Sequence, residues 1–480
     1  MNRRGLPSEN LSVFEHRELV EIYDEIRQVY QSTRLPWVIG YSGGKDSTAT
    51  LQIVWNALSD LPAEELTMPI YVIASDTLVE TPMIVDHIDI SLRKINEAAQ
   101  RQRLPISAHK VVPKTTETFW VNLIGRGYPA PTQRFRWCTE RMKINPANSF
   151  ILEKAAEFGE VVMVLGARKT ESASRGQVMA NHRKVAGSQL RRHHSLARAM
   201  VYTPIEDFTT DDVWTYLLEV PSPWGHNNRD LAALYRSAQS DECPLVIDKT
   251  TPSCGNSRFG CWTCTVVTKD KSMESMIDNG QEWMIPMLEF RNWLSETQDP
   301  EKKHEYRDFK RRNGRITVVD DKVIPGPYRK NIRKQMLKRL LETQQLVREY
   351  GPDPGIELIT EDELHEIRRI WRVEFPDWED TVPIIYEEVT GERLDWLQDD
   401  IGTFSAQEYR ILDEICQAND KYPTELIARL LEEERQMQGM HRRAGIFARI
   451  EAVLREDWDD EATVQEKYEW AGTSAMETDE

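Results

Sequence analysis

The stretch Trp37-Val-Ile-Gly-Tyr-Ser-Gly-Gly-Lys-Asp-Ser-Thr48 decides the fold of the region around it. A short apolar run ends at Tyr41, and Ser42-Gly43-Gly44 then permits backbone angles that are closed to other residues. From Asp46 onward the apolar positions recur at helical spacing. A strand, a glycine loop and a helix N-terminus together are typical of a phosphate site, because backbone N–H groups and the helix dipole converge on the anion. The alternative is a glycine-rich turn that binds nothing.

The loop departs from the P-loop NTPase pattern. Asp46 follows Lys45 where that pattern needs Ser or Thr, and Ile39 stands where it needs its first glycine. The loop resembles instead the Ser-Gly-Gly-x-Asp-Ser loop of the ATP pyrophosphatases, which cleave ATP between the α and β phosphates and transfer AMP. We therefore predict a phosphate cradle in which Lys45 meets the phosphate charge, and its other members are Ser42, Gly43, Gly44 and Ser47.

Length and composition indicate an ordinary globular protein. The chain has 480 residues, enough for two or three domains, and 40% of them are hydrophobic. No apolar run approaches the roughly 20 residues that span a bilayer, and no apolar signal segment follows the N-terminus. We expect a cytoplasmic protein without membrane contact. Its six cysteines are then expected to be reduced thiols or metal ligands.

The net charge of −18 is unevenly divided. Residues 341–480 hold 14 of the 61 basic and 37 of the 79 acidic residues, which leaves 47 basic and 42 acidic residues in 1–340. Two stretches are strongly basic, Ala167–Ile205 and Glu301–Leu340. They are candidates for contact with nucleic-acid phosphates, and solvated helix faces are the alternative. The acidic C-terminal part would repel DNA and is expected to face a partner protein.

Apolar runs alternate with helical patterns after the loop. The runs Met68–Ala74, Ile106–Val112, Val161–Leu165 and Met200–Ile205 are typical of buried parallel strands. This alternation predicts an α/β fold with a doubly wound, mainly parallel sheet. The predicted organisation is an N-terminal helix (1–34), a sheet domain (35–218), a cysteine-rich segment (219–268), a basic helical region (269–350) and an acidic helical domain (351–480).

Three charged residues stand where ligands bind in open α/β sheets, beyond the ends of strands or at the start of a helix. Asp46 is predicted to hold Mg²⁺ at the phosphates, and an interaction with the helix dipole is the alternative. Asp76 is predicted to contact the nucleotide, and a capping role is the alternative. Arg168 follows the Val161–Leu165 run and would meet either nucleotide phosphate or the DNA backbone.

Four of the six cysteines fall within 22 residues, in the order Cys243-x₁₀-Cys254-x₆-Cys261-x₂-Cys264. Four thiolates in one compact segment suit either tetrahedral zinc or a [4Fe–4S] cluster, and softness and count do not choose between them. Cys138 stands apart among basic residues, which favour thiolate. It is a candidate catalytic sulfur carrier, and the alternatives are a fifth cysteine near the cluster or a buried structural residue.

Several phrases together resemble the phosphoadenosine phosphosulfate (PAPS) reductase-like branch of the ATP pyrophosphatases, over about 35–268. They are Ser42–Ser47, Asp76-Thr77…Glu80-Thr81, Trp137-Cys-Thr-x-x-x-Lys143, Gly166-x-Arg-x-x-Glu-Ser172-x-x-Arg175 and Pro204…Asp211-Asp-Val-Trp214. Within the branch the chain is similar to the DNA phosphorothioation sulfurtransferases of the DndC type. That likeness rests on the phrases Phe119–Pro131, Arg136–Arg141 and Phe259–Val267 and on the length and extra C-terminal region.

The resemblance implies a sheet of the adenine-nucleotide alpha hydrolase type that uses ATP. It implies an ATP-dependent sulfurtransferase that replaces a non-bridging oxygen of the DNA backbone phosphate by sulfur. It also implies a [4Fe–4S] cluster, a cysteine desulfurase as sulfur donor and other DNA phosphorothioation proteins as partners. The chain departs from the sulfonucleotide reductases, since it lacks their C-terminal Glu-Cys-Gly-x-His motif and its only Cys-Gly is Ser253-Cys-Gly-Asn256. APS reductases pair two cysteines where this chain has Cys138-Thr139.

Three alternatives to DNA sulfur insertion stay open. Two are enzymes: another ATP-pyrophosphatase thiolase, acting on tRNA, and a sulfonucleotide reductase. The third is a DNA- or partner-binding module with a structural cluster and a regulatory nucleotide site. Release of pyrophosphate from ATP that depends on DNA would distinguish DNA sulfur insertion from these three alternatives.

Overall fold

The computed structural model describes residues 12–169, 188–237, 260–375, 377–396, 405–419, 422–437 and 445–470. Packing divides the chain into two units, and each is built from two pieces of chain. The first joins Met1–Lys114 to Trp137–Asn279, and the second joins Thr115–Arg136 to Gly280–Glu480. These bounds differ from the predicted ones, because Thr115–Arg136 falls inside the predicted sheet domain and yet packs with the helices beyond residue 280.

The first unit contains a six-stranded sheet with the strand order β3-β2-β1-β4-β6-β5. Neighbouring strands are parallel except β5, which runs antiparallel to β6. The predicted mainly parallel sheet is therefore confirmed. The strands are β1 (Trp37–Gly40), β2 (Ile70–Ser75), β3 (Ile106–Val111), β4 (Val161–Val164), β5 (Arg191–Arg192) and β6 (Ala199–Tyr202).

Helices cover both faces of this sheet, because successive strand residues point to opposite sides. Ile39 of β1 packs in the larger core, with side chains of α1, α2, α3 and α5, whereas its neighbour Val38 packs against α4. A short helical turn, Trp137–Thr139, continues through the π-helical turn Glu140–Ile144 into α4. The helices are α1 (Leu19–Thr33), α2 (Lys45–Ser59), α3 (Pro82–Gln102), α4 (Asn145–Phe158), α5 (Thr210–Glu219), α6 (Asn228–Ser237) and α7 (Lys271–Asp278), with a 3₁₀ turn at Val13–Glu15.

The strand order reverses at β1, which pairs with β2 on one side and β4 on the other. Ligands of open α/β sheets bind at such a switch point, beyond the carboxyl ends of the strands. The loop after β1 therefore lies at the expected position. Gly166, just beyond β4, is required there: a Cβ on it would lie 2.8 Å from the Asp46 carbonyl oxygen and 2.9 Å from Thr50 Oγ1.

The second unit is mainly helical, as predicted for the C-terminal region. Its small sheet pairs β7 (Val318–Val319) with β8 (Lys322–Val323) and β8 with β9 (Glu469–Trp470). None of the helices in the described ranges is long and apolar enough to cross a bilayer. The helices are α8 (Ile285–Glu296), α9 (Lys303–Tyr306), α10 (Lys330–Tyr350), α11 (Glu361–Glu374), α12 (Thr381–Thr390), α13 (Ala406–Asn419), α14 (Thr424–Gln436), α15 (Ile446–Leu454) and α16 (Glu461–Lys467), with 3₁₀ turns at Thr115–Glu117 and Glu282–Met284.

The Phe119–Pro131 phrase is built into this helical unit. Its middle forms a π-helical turn, Val121–Gly125, although the glycines and prolines of the phrase are typical of a loop or hairpin. Trp120 donates its indole N–H to the Leu358 carbonyl oxygen at 2.6 Å, and Trp371 donates to that of Ile124 at 2.9 Å. These buried hydrogen bonds explain why the segment packs with the second unit, although it interrupts the sheet unit along the chain.

Candidate functional site

The Ser42–Ser47 loop has the geometry of an anion site. Gly43 adopts a positive φ of 72°, which only glycine takes at little cost. Ser47 Oγ donates to the Gly44 carbonyl oxygen at 3.0 Å and accepts the Ser42 N–H at 3.2 Å, which closes the turn. Gly44 is the N-cap of α2 and gives no side chain to the first-turn amides. The loop thus supplies the backbone donors and the helix N-terminus that phosphate binding requires.

Three charged side chains meet at the base of the loop. Asp46 Oδ1 accepts the Arg168 Nε–H at 2.6 Å, and Asp46 Oδ2 lies 3.2 Å from Lys45 Nζ. Arg168 and Lys45 are 1% and 2% exposed, so these charges interact in a poorly solvated environment. Arg168 also donates to Thr210 Oγ1 at 3.2 Å, which ties α5 to the site. The structure thus brings three predicted site residues together, and their roles toward phosphate and Mg²⁺ stay predictions.

Tyr235 of α6 covers the start of α2. Its hydroxyl accepts the Lys45 backbone N–H at 3.2 Å, and Lys45 Nζ lies 5.5 Å from its ring centroid. Trp214 of α5 packs edge-on against the same ring. Tyr235 is therefore an aromatic residue that contacts the loop.

Asp76 lies in a tight turn at the carboxyl end of β2. Its Oδ1 accepts the Leu78 N–H at 2.8 Å, and its Oδ2 lies 3.5 Å from Lys110 Nζ. Leu78 adopts a φ of +63°, which is rare for a side chain of this kind. Such strain recurs at functional turns and costs about 1–3 kcal/mol. The turn has the geometry of the alternative capping role, and the nucleotide contact of Asp76 stays a prediction.

The cysteine-rich segment reaches the same turn. Trp262 N–H donates to the Val79 carbonyl oxygen at 2.9 Å, and Cys261 forms an antiparallel bridge with Glu80. Cys261 Sγ lies 3.4 Å from Thr77 Oγ1, whose hydroxyl bonds Glu80 Oε1 at 2.9 Å. Cys264 N–H donates to the Cys261 carbonyl oxygen at 3.0 Å, so the Cys-x-x-Cys pair lies on one turn. This places two predicted metal ligands beside the end of β2.

Burial dominates the electrostatics of this turn. It raises the pKa of Glu80, an effect that Lys143 opposes from 4.0 Å, and it raises the pKa of the Cys261 thiol, with the Glu80 charge acting in the same direction. A cation bound at Cys261 would favour its thiolate, so the donor chemistry fits a thiophilic metal. Within the described ranges no group of three His, Cys, Asp or Glu side chains is arranged around a metal position.

Two of the four predicted metal ligands, Cys243 and Cys254, lie outside the described residues. Cys138 is half-buried on the helical turn Trp137–Thr139, and the described cysteines form no disulfide with one another. Of the basic residues near Cys138 in the sequence, Lys143 is directed to Glu80. The sulfur-carrier role of Cys138 stays a prediction.

Several site residues escaped prediction from the sequence. His87 of α3 faces Gly43, and His226 contacts the His87 ring. A lone histidine on an amphipathic helix gives no signal of its own. The available hint is that His87 lies on the helix that follows Asp76, a residue that the sequence assigns to the site.

The described part of the two basic stretches is extensively paired within the protein. In the first, Lys169 and Arg191 bind Glu206, and Arg192 lies 3.5 Å from Glu160. In the second, the cations of α10 and the residue before it bind acids of the C-terminal region: Arg329–Glu461, Lys330–Asp377, Lys334–Glu379 and Lys338–Glu388. The acidic C-terminal residues are thus partly neutralised within their own unit. Arg312 and Arg315, on the segment that leads into β7, are exposed and have no ion-pair partner among the described residues.

Part of the chain is similar to a known protein family. Residues 36–267, just under half of the chain, match the phosphoadenosine phosphosulfate reductase domain family. An uncharacterized protein of Methanocaldococcus jannaschii is 26% identical over 199 residues, which are 42% of this chain and 35% of that protein. The chain therefore spans about a third of that relative's length.

Two solved structures match parts of this chain at low identity and low TM-score. The Candida glabrata FMN adenylyltransferase, solved with FAD and pyrophosphate, is 14% identical, with a TM-score of 0.25, over 45% of this chain and 61% of that chain. The Methanococcus maripaludis U34-tRNA thiolase NcsA, solved with its [4Fe-4S] cluster, is 12% identical, with a TM-score of 0.28, over 58% of this chain and 78% of that chain. Residues 36–267 are thus similar to the PAPS reductase domain family, and the predicted α/β fold with a mainly parallel sheet is confirmed.

Proposed function

We propose that the protein is an ATP-dependent sulfurtransferase that converts DNA backbone phosphate to phosphorothioate. One observation carries the proposal: the glycine loop after β1 and the Cys-x-x-Cys turn lie at carboxyl ends of neighbouring strands in one unit. A nucleotide loop and a sulfur-binding segment are the two parts that such a reaction needs. The acceptor, DNA, rests on the resemblance to DndC-type proteins.

The chemistry follows from the poor reactivity of a phosphodiester. A non-bridging oxygen of the DNA phosphate attacks the α-phosphorus of ATP, and pyrophosphate leaves. That oxygen becomes part of an AMP leaving group, so a sulfur nucleophile forms the P–S bond as the P–O bond to AMP breaks. If the sulfur comes from a persulfide, a second thiol must reduce the S–S bond. The proposal includes a cysteine desulfurase as donor, other phosphorothioation proteins as partners and Cys138 as carrier.

The residues of the loop have separable tasks in this scheme. Ser42, Gly43, Gly44 and Ser47 orient the phosphates, while Lys45 and Arg168 offset negative charge as pyrophosphate forms. Asp46 would bind Mg²⁺ only after giving up its ion pairs with Lys45 and Arg168. Both cations would then be available to contact the nucleotide. Cys261 and Cys264, with Cys243 and Cys254, would hold a cluster that supplies sulfur or electron chemistry.

The decisive assay is pyrophosphate release with ATP and DNA, joined to mass-spectrometric detection of thiophosphate in the DNA. We expect Lys45→Ala to abolish both signals. Lys154→Ala is the matched control, because Lys154 lies on α4 and pairs with Glu153 and Glu157. Full activity of the Lys45→Ala protein would refute the catalytic role of the loop.

The same assay separates the alternatives. Pyrophosphate release that requires tRNA instead of DNA would identify a tRNA thiolase, and thiol-dependent sulfite release from PAPS would identify a reductase. Nucleotide binding without turnover on any acceptor would identify a binding module.

The DNA contact has its own test. Arg312 donates to the Tyr128 hydroxyl at 2.6 Å and stacks 4.8 Å from its ring centroid, so an arginine and an aromatic ring lie together at the surface. We expect Arg312→Ala with Arg315→Ala to weaken DNA binding and to reduce its salt dependence by about one phosphate contact per arginine. An unchanged salt slope would exclude this surface.

A further inference from the structure

Two histidines stand beside the phosphate loop. A Cβ on Gly43 would lie 3.7 Å from His87 Cδ2 and 3.9 Å from His87 Nε2, so this imidazole borders the space that a side chain at position 43 would occupy. The His226 ring centroid lies 5.6 Å from that of His87, with the ring planes at 59°. Both side chains are half-buried. The pair therefore lies beside the glycine loop, with His87 nearer to it than His226.

A hydrogen bond to Ser91 orients His226. The Ser91 hydroxyl donates to the His87 carbonyl oxygen at 2.7 Å, which leaves Ser91 Oγ as an acceptor. His226 Nε2 lies 3.4 Å from Ser91 Oγ, which can accept a hydrogen bond from the Nε2–H tautomer of His226. His226 is thereby fixed against α3, and its ring holds His87 toward Gly43.

The imidazole of His87 has unused hydrogen-bonding capacity. Among the described residues, neither of its ring nitrogens has a hydrogen-bond partner, although the side chain is only partly accessible to water. An imidazole whose ring nitrogens have no such partner can form a hydrogen bond with a ligand in the glycine loop, either as donor or as acceptor. Phosphate oxygen is the acceptor that the loop itself selects.

Burial and nearby positive charge both favour the neutral form of the two rings. Burial lowers the pKa of His87, and Lys94 on the same helix lowers it further. Burial, Lys94 and His87 lower the pKa of His226 to about 4, while Asp230 of α6 acts in the opposite direction. An anion at Gly43 would favour the protonated form of His87, because opposite charges within a few Å stabilise each other.

We propose that His87, held in place by His226, binds a phosphate group of the nucleotide in the Ser42–Ser47 loop and takes up a proton as the nucleotide binds. This inference rests on the nucleotide site proposed above. It predicts that nucleotide affinity rises as the pH falls, by up to tenfold per pH unit beyond the titration of the nucleotide itself. Departure of pyrophosphate would return the proton to solvent.

Calorimetric titration tests the proposal with Mg²⁺ and the non-cleavable analogue α,β-methylene-ATP. Titrations at pH 7 in buffers of different ionisation enthalpy count the protons taken up on binding. We expect the wild type to take up more protons than His87→Asn, by up to one, and to show a correspondingly steeper dependence of log Kd on pH between 6 and 8. The nucleotide's own titration is common to both proteins and cancels.

His109→Asn is the matched control. Burial also lowers the pKa of His109, but its ring lies against Tyr71 and Phe150, in contact with the smaller of the two sheet cores. We expect the control to match the wild type in proton uptake and pH slope. Equal proton uptake and equal slopes for wild type and His87→Asn would overturn the proposal.

A second measurement needs no substitution in the protein that is titrated. Nitrogen-15 NMR of the histidine rings, assigned with the variants, follows the protonation of His87 with and without the analogue. We expect the midpoint for His87 to rise on binding, and an unchanged midpoint would refute the proposal. Binding without these proton effects would overturn the histidine role alone, whereas no binding by the wild type would overturn the nucleotide site as well.

Discussion

Replacing Gly166 with alanine tests whether the loop after β1 is positioned by contact with the end of β4. Gly166 has an ordinary φ, so the substitution introduces no backbone strain and acts through its new methyl group. That Cβ would lie 2.8 Å from the Asp46 carbonyl oxygen and 2.9 Å from both the Asp46 carbonyl carbon and Thr50 Oγ1. Two of these atoms are backbone atoms in the first turn of α2 and cannot rotate away.

The size of the effect follows from the required shift. Moving the Asp46 carbonyl oxygen from 2.8 to 3.4 Å, where ordinary contact begins, displaces the start of α2 by about 0.6 Å. Overpacking of this kind costs about 1–3 kcal/mol. If bound nucleotide requires the original loop position, binding must restore the strained geometry. The same 1–3 kcal/mol then appears as a Kd that is about 5- to 150-fold weaker.

The assay has two parts, because the chain has two units that need not unfold together. Hydrogen exchange of peptides from β1 and α2 reports the local free energy of opening, and calorimetry with α,β-methylene-ATP reports Kd. Gly159→Ala is the control: Gly159 has a φ of +91°, and a Cβ added to it would have no heavy atom within 4 Å. It should lose about 1–2 kcal/mol of stability through backbone strain and bind the analogue normally. A Gly166→Ala protein with wild-type exchange and wild-type Kd would refute the packing argument.

Three further predictions follow from single contacts. Arg168→Met should destabilise the first unit by about 3–5 kcal/mol, because it removes a cation that binds the Asp46 carboxylate. In an Asp46→Asn background the same substitution should cost much less, and denaturant unfolding measures both free energies. Burial would raise the pKa of Asp212, but hydrogen bonds lower it below the ordinary value, so its stabilisation is present above about pH 4 and lost as the pH falls through the folded-state pKa. Asp212→Asn should therefore lower Tm at pH 7 and progressively less below pH 4. Cys264→Ser should lower the iron content of protein purified without oxygen, and a colourless wild-type protein with tightly bound zinc would contradict the iron–sulfur assignment.

Much of the sheet could be predicted from sequence, for a physical reason. Strands of a parallel sheet are buried on both faces and read as continuous apolar runs, and the ends of the five predicted strands agree with the structure to within three residues. The antiparallel strand β5 gave no such signal. It consists of Arg191 and Arg192, and its position depends on pairing with β6 and on the Arg191–Glu206 ion pair.

The division into units could not be predicted from local pattern. Thr115–Arg136 interrupts the sheet unit along the chain, and its composition indicates only a loop. What assigns it to the helical unit is a set of contacts more than 200 residues apart in sequence, such as Trp371 Nε1 to the Ile124 carbonyl oxygen and Arg333 Nη1 to that of Gly125. Long-range packing of this kind leaves no periodic trace in a single sequence.

The candidate site shows the same contrast between local and distant information. The local geometry of the loop was predictable, because Ser42–Ser47 carries the pattern of a glycine loop and a helix start in its own sequence. The residues that surround the loop are distant in sequence: Arg168 from the end of β4, Tyr235 from α6 and His87 from α3. They converge because the parallel strands direct their carboxyl ends to one edge, which is a property of the topology.

That edge also accounts for the place of the cysteine-rich segment. The Trp262–Val79 hydrogen bond and the Cys261–Glu80 bridge attach the segment to the turn after β2, the strand next to β1. Leu78 in this turn holds a positive φ, and such a conformation persists only where surrounding contacts over-determine it. The bridge supplies such contacts, so the turn and the Cys-x-x-Cys pair constrain each other. The segment is thereby fixed to the same sheet edge as the loop after β1, which is the arrangement that the proposed coupling of phosphate activation to sulfur transfer would require.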